Sequence, residues 1–183
     1  MSGFAAMASR PRIYIDSCCF IDLVKHELAN LPDTATADFW YTKRLLEAHR
    51  NKDVEVVTSI LAVAECVGVE KGQQTVPDDV QRRFRQLLTS GQYLNLRQTT
   101  PRTGQIAQEL RWKHGLVFGG PDAIHFATAI EAGVVEFMTT DGRIRSGKVA
   151  AALPVLGKVL KVMTPSSTGH LPDKYRQGDM INA

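Results

Sequence analysis

Apolar positions along the chain recur in two alternating rhythms. "RIYID", from Arg12, reads as a short buried strand. The run "CCFIDLVKHELA" then places Phe20, Leu23, Val24 and Leu28 at helical spacing. "TADFWYTKRLLEAHRNK" predicts a second helix with Trp40, Leu45 and Leu46 in its core stripe, and "VEVVTS" a second strand. Ser59 is placed to cap a helix over "ILAVAECVGVEKG" that stops at Gly72. "VPDDVQRRFRQLLTSG" opens with Pro77 and two acids and closes at Gly91, which is helix grammar. "YLNLRQ" predicts a third strand. Two helices follow, one from Thr100 and Pro101 to Gly115 and one from Pro121 to Gly133. "VVEFMTTD" predicts a fourth strand, and "LPVLGKVLKVMT" contains a last one.

Strands separated by helices imply an α/β domain of three layers, with a central, mostly parallel sheet covered on both faces. The 183 residues suffice for one such domain and would cramp two. Sites in these sheets form beyond the carboxyl ends of the strands. Asp16 ends the first strand and Asp141 the fourth, so two distant acids are expected at one sheet edge.

Composition narrows the class modestly. At 44% hydrophobic and 22% charged the chain is that of an ordinary globular protein. No apolar run approaches the roughly 20 residues that span a bilayer, and "MSGFAAMASRPR" lacks the apolar core of a secretory signal, so a cytoplasmic placement and no membrane partner are expected. Residues 1–11 read as a flexible lead-in, and the polar segment 164–183 as a tail, loose or draped over the surface. A net charge of +3 is too weak to demonstrate nucleic-acid binding but does not oppose a polyanion. The three cysteines, Cys18, Cys19 and Cys66, lack disulfide or zinc spacing and read as buried free thiols.

Two further acids have apolar neighbours. Glu65 lies within "ILAVAECVGV", and Asp122 occupies the first turn of "PDAIHFATAIEAG". Each of the four acids has a plain structural reading: Asp16 as a helix cap, Asp122 as a complement to the helix dipole, Asp141 in a turn with Gly142, Glu65 facing solvent. Together, with no adjacent Lys or Arg to neutralise them, they suggest convergence on a cation. Oxygen-only ligands suit Mg²⁺ or Mn²⁺.

The stretches "YIDSCCFIDL", "TSILAVAECVGV", "GGPDAIHFATA" and "FMTTDGRI", in that order, resemble the PIN-domain family of nucleases, most closely the VapC-type toxins. The similarity covers residues 12–163. It implies that Asp16, Glu65, Asp122 and Asp141 form an acidic metal site for Mg²⁺ or Mn²⁺, Asp16 and Asp122 as direct ligands and the other two directly or through water. It places Ser17 and Thr140 as supporting hydroxyls. It further implies endonucleolytic cleavage of RNA by water, an antitoxin partner and a homodimer. Arg143 and Arg145, directly after Asp141, are placed to meet the phosphates of the strand.

Other residues carry less weight. His125 lies one turn after Asp122, but a histidine on an apolar helix is more often a packing residue. Arg82, Arg83 and Arg85 read as a solvated face, Asp22 as surface. Alternatives to a toxin ribonuclease are a PIN nuclease of RNA processing and a non-catalytic regulatory domain. An aspartyl phosphotransferase is a further one, opposed by Cys18 where those enzymes carry a second Asp.

Overall fold

The structure is a computed structural model that describes residues 10–29, 37–70, 72, 74–145, 149 and 160–177. Residues 1–9 of the expected lead-in over 1–11, the first part of the last predicted strand segment and the end of the tail lie outside the described residues.

Strand β1 (Arg12–Ile15) leads into helix α1 (Ser17–Leu28), and α2 (Asp38–Arg50) precedes β2 (Glu55–Ser59). Then follow α3 (Leu61–Glu65), α4 (Asp78–Thr89), β3 (Asn95–Arg97), α5 (Pro101–Trp112), α6 (Gly120–Ala132), β4 (Glu136–Met138) and β5 (Lys161–Met163). The five strands pair in the order β3-β2-β1-β4-β5, every pairing parallel. The chain moves outward from β1 on one side and returns to β4 on the other. The switch point therefore falls between the carboxyl ends of β1 and β4, where a site is expected.

Strand alternation sorts the core into two halves. Ile13, Ile15, Val56 and Met138 face the layer of α1, α2 and α4. Tyr14, Val57 and Phe137 face α5 and α6. On that second face Tyr14, Phe137, Phe126 and Phe118 stack in sequence, with centroids 4.9, 4.3 and 4.7 Å apart. Capping follows the sequence closely at α5, where Thr100 and Thr103 form a reciprocal box over Pro101. At the end of α6, Gly133 adopts φ 67° and returns its N–H to the carbonyls of Ala129 and Ile130.

The long helix predicted from Ile60 to Gly72 is shorter than expected. It ends at Glu65, with Cys66 already outside helical geometry. Continuing it would require β-branched Val67 and Val69 and the glycine between them, all unfavourable in a helix. Ser59 does serve the start, its Oγ accepting the Leu61 N–H at 3.2 Å.

The described part of the tail is draped rather than loose. A 3-10 turn (Pro165–Ser167) and a short helix α7 (Asp173–Arg176) lie along α2. Ser166 N donates to Asp38 Oδ1, Tyr175 Oη donates to Asp53 at 2.6 Å, and Leu171 and Tyr175 join the core. The segment also covers Glu136 at the start of β4. That buried carboxylate accepts from the Thr168 hydroxyl at 2.7 Å and the Gly169 N–H at 3.0 Å.

Candidate active site

Asp16 follows β1 immediately, and its backbone N–H extends the ladder by donating to Met138 O at 3.0 Å. The residue is buried, 5% exposed. Oδ1 accepts the Ser17 N–H at 2.8 Å and caps α1, while Oδ2 accepts the Thr139 hydroxyl at 2.9 Å. One side chain thus both caps α1 and joins the cluster with Glu65 and His125. The Cys18 thiol also donates to Oδ2 at 3.3 Å. Cys18 is therefore a neighbour of the site, whereas Cys19 and Cys66 are buried in the core; all three are free.

Glu65 reaches the same edge from the end of α3, and His125 from the second turn of α6. His125 Nε2 lies 2.7 Å from Glu65 Oε2, and Nδ1 lies 3.9 Å from Asp16 Oδ1. Asp16, Glu65 and His125 each offer a ligand atom within 4.8 Å of the others. The histidine set aside on sequence grounds therefore stands inside the acidic cluster. The signal available was its position three residues after Asp122, on the same helix face.

Asp122 lies half-buried in the first turn of α6. Its carboxyl is held above the ordinary value by burial and by the charges of Asp16 and Asp141, with Arg143 opposing. Asp141 is pulled the other way, chiefly by its bidentate pair with Arg143, whose Nη2 lies 2.6 Å from Oδ2. Arg145 adds to the same lowering. Asp141 is tied to the centre through its N–H, which donates to Thr139 Oγ1 at 3.1 Å.

The hydroxyl that bridges the acids is that of Thr139. Thr140 points one layer outward and donates to Asp22 Oδ2 at 2.8 Å. Asp22 is thus half-buried and partnered, instead of a free surface acid. Ser17 contributes its N–H to Asp16, and its side chain helps hold the Glu65 carboxyl below its ordinary value. Of Arg82, Arg83 and Arg85, Arg83 is engaged away from the acids: it pairs with Glu27 at 2.6 Å and packs over Tyr93.

The electrostatics are those of carboxylates held close to one another, with His125 and Arg143 as their basic partners. The His125 hydrogen bond lowers Glu65, against its burial. Burial alone would push His125 down, but the Glu65 hydrogen bond and the charges of Asp16, Glu65 and Asp122 outweigh it, and the imidazole is raised. Asp16 and Glu65 at this range, with Asp122 raised by burial and then by like charges, fit a divalent cation. Asp16 and Glu65 could hold it, with Asp122 beside them. The two ring nitrogens of His125 face Glu65 and Tyr14, so carboxylate oxygens supply the ligands, which suits Mg²⁺ or Mn²⁺.

An all-parallel sheet with acids converging at its switch point is the architecture of a PIN domain. The chain belongs to the PIN domain family, whose profile matches residues 13–149. Among solved structures, the fold is similar to a chain of VapBC2 from Rickettsia felis bound to a DNA fragment from its promoter. That match has 17% identity and a TM-score of 0.50, covering 82% of this chain and 98% of the other. It is also similar to a chain of FitAB bound to an IR36 DNA fragment, with 16% identity and a TM-score of 0.51, covering 86% and 98%. Both likenesses describe the fold. No curated protein matches the sequence. Among the described residues no helix is long and apolar enough to cross a membrane.

Proposed function

We propose that the chain is a divalent-metal-dependent endoribonuclease and the toxin of a toxin–antitoxin pair. The observation that carries the nuclease reading is the meeting of Asp16, Glu65 and His125 within 4.8 Å at the switch point, with Asp122 and Asp141 alongside. PIN domains are typically nucleases, and those nucleases generally use divalent metals. Asp16, Glu65, Asp122 and Asp141 are the catalytic acids of this reading, supported by Ser17 and by the two threonines before Asp141. When bound, Mg²⁺ or Mn²⁺ supplies Lewis-acid activation of water and charge stabilisation at phosphorus.

The protein's own groups position that chemistry. Asp16 is held on two sides, by Ser17 N–H and by Thr139, so its oxygens are fixed before any ligand arrives. Asp122 contributes a rigid carboxylate at a helix start. Arg143 and Arg145 lie on the open side of the centre and meet the phosphates of the strand. Water adds to phosphorus, the bond to the 3′ oxygen breaks, and that oxygen leaves as a hydroxyl, with the phosphate retained on the 5′ side of the downstream fragment.

The toxin reading rests on the resemblance of the sequence motifs to VapC-type proteins, and the fold likeness to VapBC2 and FitAB chains supports it. It carries with it an antitoxin partner, a homodimer and a cytoplasmic location. The test is cleavage of RNA by purified protein with Mg²⁺ or Mn²⁺, ends mapped as 3′-hydroxyl and 5′-phosphate, and its loss in Asp16→Asn. Full activity in that variant would remove the assigned centre.

A further inference from the structure

Behind the acids lie polar groups that the reaction does not touch. Tyr14 is wholly buried, yet it carries a phenol into the core two residues before Asp16, on the same face of the strand. Its oxygen accepts the Ser59 N–H at 2.9 Å and stands 2.6 Å from His125 Nδ1. The other ring nitrogen, Nε2, is the one at 2.7 Å from Glu65.

Donor accounting sets the direction of this chain. An ionised Glu65 only accepts, so Nε2 carries a hydrogen. In the neutral ring Nδ1 is then an acceptor, and the phenol O–H faces it. The Ser59 amide occupies the phenol oxygen from the other side, which leaves the phenol hydrogen for Nδ1.

We propose that Ser59, Tyr14 and His125 form a buried hydrogen-bond relay that holds the Glu65 carboxylate in place for the cation, making Tyr14 and His125 positioning residues. This rests on the metal-centre reading above. The need is local. Asp16 is fixed by a strand end and two strong donors. Glu65 hangs from the last residue of a five-residue helix, beside backbone that has already left helical geometry. A long side chain there is oriented by its partners, and outer partners that fix a ligating group typically change metal affinity 10–100-fold when removed. The alternative is that Tyr14 and His125 only satisfy one another in the core.

The variant that separates these is Tyr14→Phe, which keeps the ring and its stack on Phe137. Its fold is checked by circular dichroism. In metal-free protein at a pH where the ring is neutral, ¹⁵N NMR should show Nε2–H with bare Nδ1 in the wild type and mixed tautomers in Tyr14→Phe. Mn²⁺ affinity, followed by electron paramagnetic resonance, should fall about 10–100-fold in Tyr14→Phe and in His125→Leu. His125→Gln, with an amide N–H for Glu65, should retain more than His125→Leu. Wild-type Mn²⁺ affinity in folded Tyr14→Phe and His125→Leu overturns the relay alone. A wild type that binds no Mn²⁺ overturns the metal centre and the relay's purpose with it. Should Tyr14→Phe not fold, the wild-type tautomer decides, and a neutral ring protonated at Nδ1 overturns the proposal.

Discussion

The Thr139 hydroxyl joins the ends of the two central strands: it donates to Asp16 Oδ2 at 2.9 Å while accepting the Asp141 N–H at 3.1 Å. Thr139 is completely buried, so both bonds are made out of water. Thr139→Val keeps the shape and leaves a buried carboxylate oxygen and an amide without this partner. The expected loss is about 1–3 kcal/mol, the penalty for unsatisfied buried groups. Thr140→Val removes one half-exposed bond to Asp22 and should cost less, about 0.5–1.5 kcal/mol. Urea unfolding of the two variants gives the comparison, and an equal or reversed ranking would contradict the bridging role of Thr139.

Asp16→Asn should reduce RNA cleavage by more than the roughly 10–100-fold expected for losing an outer partner. The same change should abolish stabilisation by metal. At a Mn²⁺ concentration 100 times the dissociation constant, wild-type stability should rise by about 2.7 kcal/mol. Thermal melts with and without chelator measure this, and an equal rise in Asp16→Asn would place the ion elsewhere.

Arg143 is exposed and bound to Asp141. Arg143→Ala should weaken RNA binding uniformly across sequences and lower the slope of log affinity against log salt by about 1. Filter binding with the inactive Asp16→Asn protein isolates this from cleavage. An unchanged slope would mean that Arg143 serves Asp141 alone.

The Glu65–His125 pair gives metal-free stability a defined pH window. His125 is raised in the folded protein, so its contribution is complete below its ordinary 6.5 and disappears as pH climbs through the raised value. Glu65 is lowered, so its contribution is complete above its ordinary 4.5 and disappears as pH falls through the lowered value. Both act together between about pH 4.5 and 6.5. Asp122, raised, works against the fold as pH climbs from its ordinary 3.8, and its penalty is complete above the shifted value. In chelator, the stability advantage of wild type over His125→Leu should therefore be largest within that window and shrink toward alkaline pH. An advantage that grew with pH would contradict the raised imidazole.

Leu171 is 2% exposed and anchors the C-terminal segment to the core. Leu171→Ala should cost about 2–5 kcal/mol, with RNA cleavage per folded molecule unchanged. A melt and an activity assay on the same preparation check both parts.

The layered parallel sheet was legible because strand and helix periods alternate cleanly, and a strand-end acid marks the sheet edge whatever the family. Other features lay beyond a linear reading. Thr139 and Thr140 are adjacent, and only knowing which way β4 faces tells which hydroxyl turns inward to Asp16. His125 was visible one turn from Asp122, but its meaning depends on Tyr14, 111 positions away. The short α3 was obscured because apolar Val67 and Val69 continue a helical rhythm that their backbone preferences and Gly68 do not support. Polarity left the tail open between loose and draped, because its hold comes from contacts a linear reading does not show: Leu171 and Tyr175 in the core and the bonds to Glu136, Asp38 and Asp53.

Those bonds give the molecule an internal reference. Glu136 opens β4 and Asp141 follows its far end, so acids sit at both ends of the same short element. The protein supplies Glu136 with its own hydroxyl and amide, whereas at the other end Asp122 stands within range of the like charges of Asp16 and Asp141. Added divalent ion should therefore change spectroscopic signals at the carboxyl end of the strand and leave those of Glu136, Thr168 and Gly169 still. A perturbation seen at both ends would instead report a change in the whole sheet.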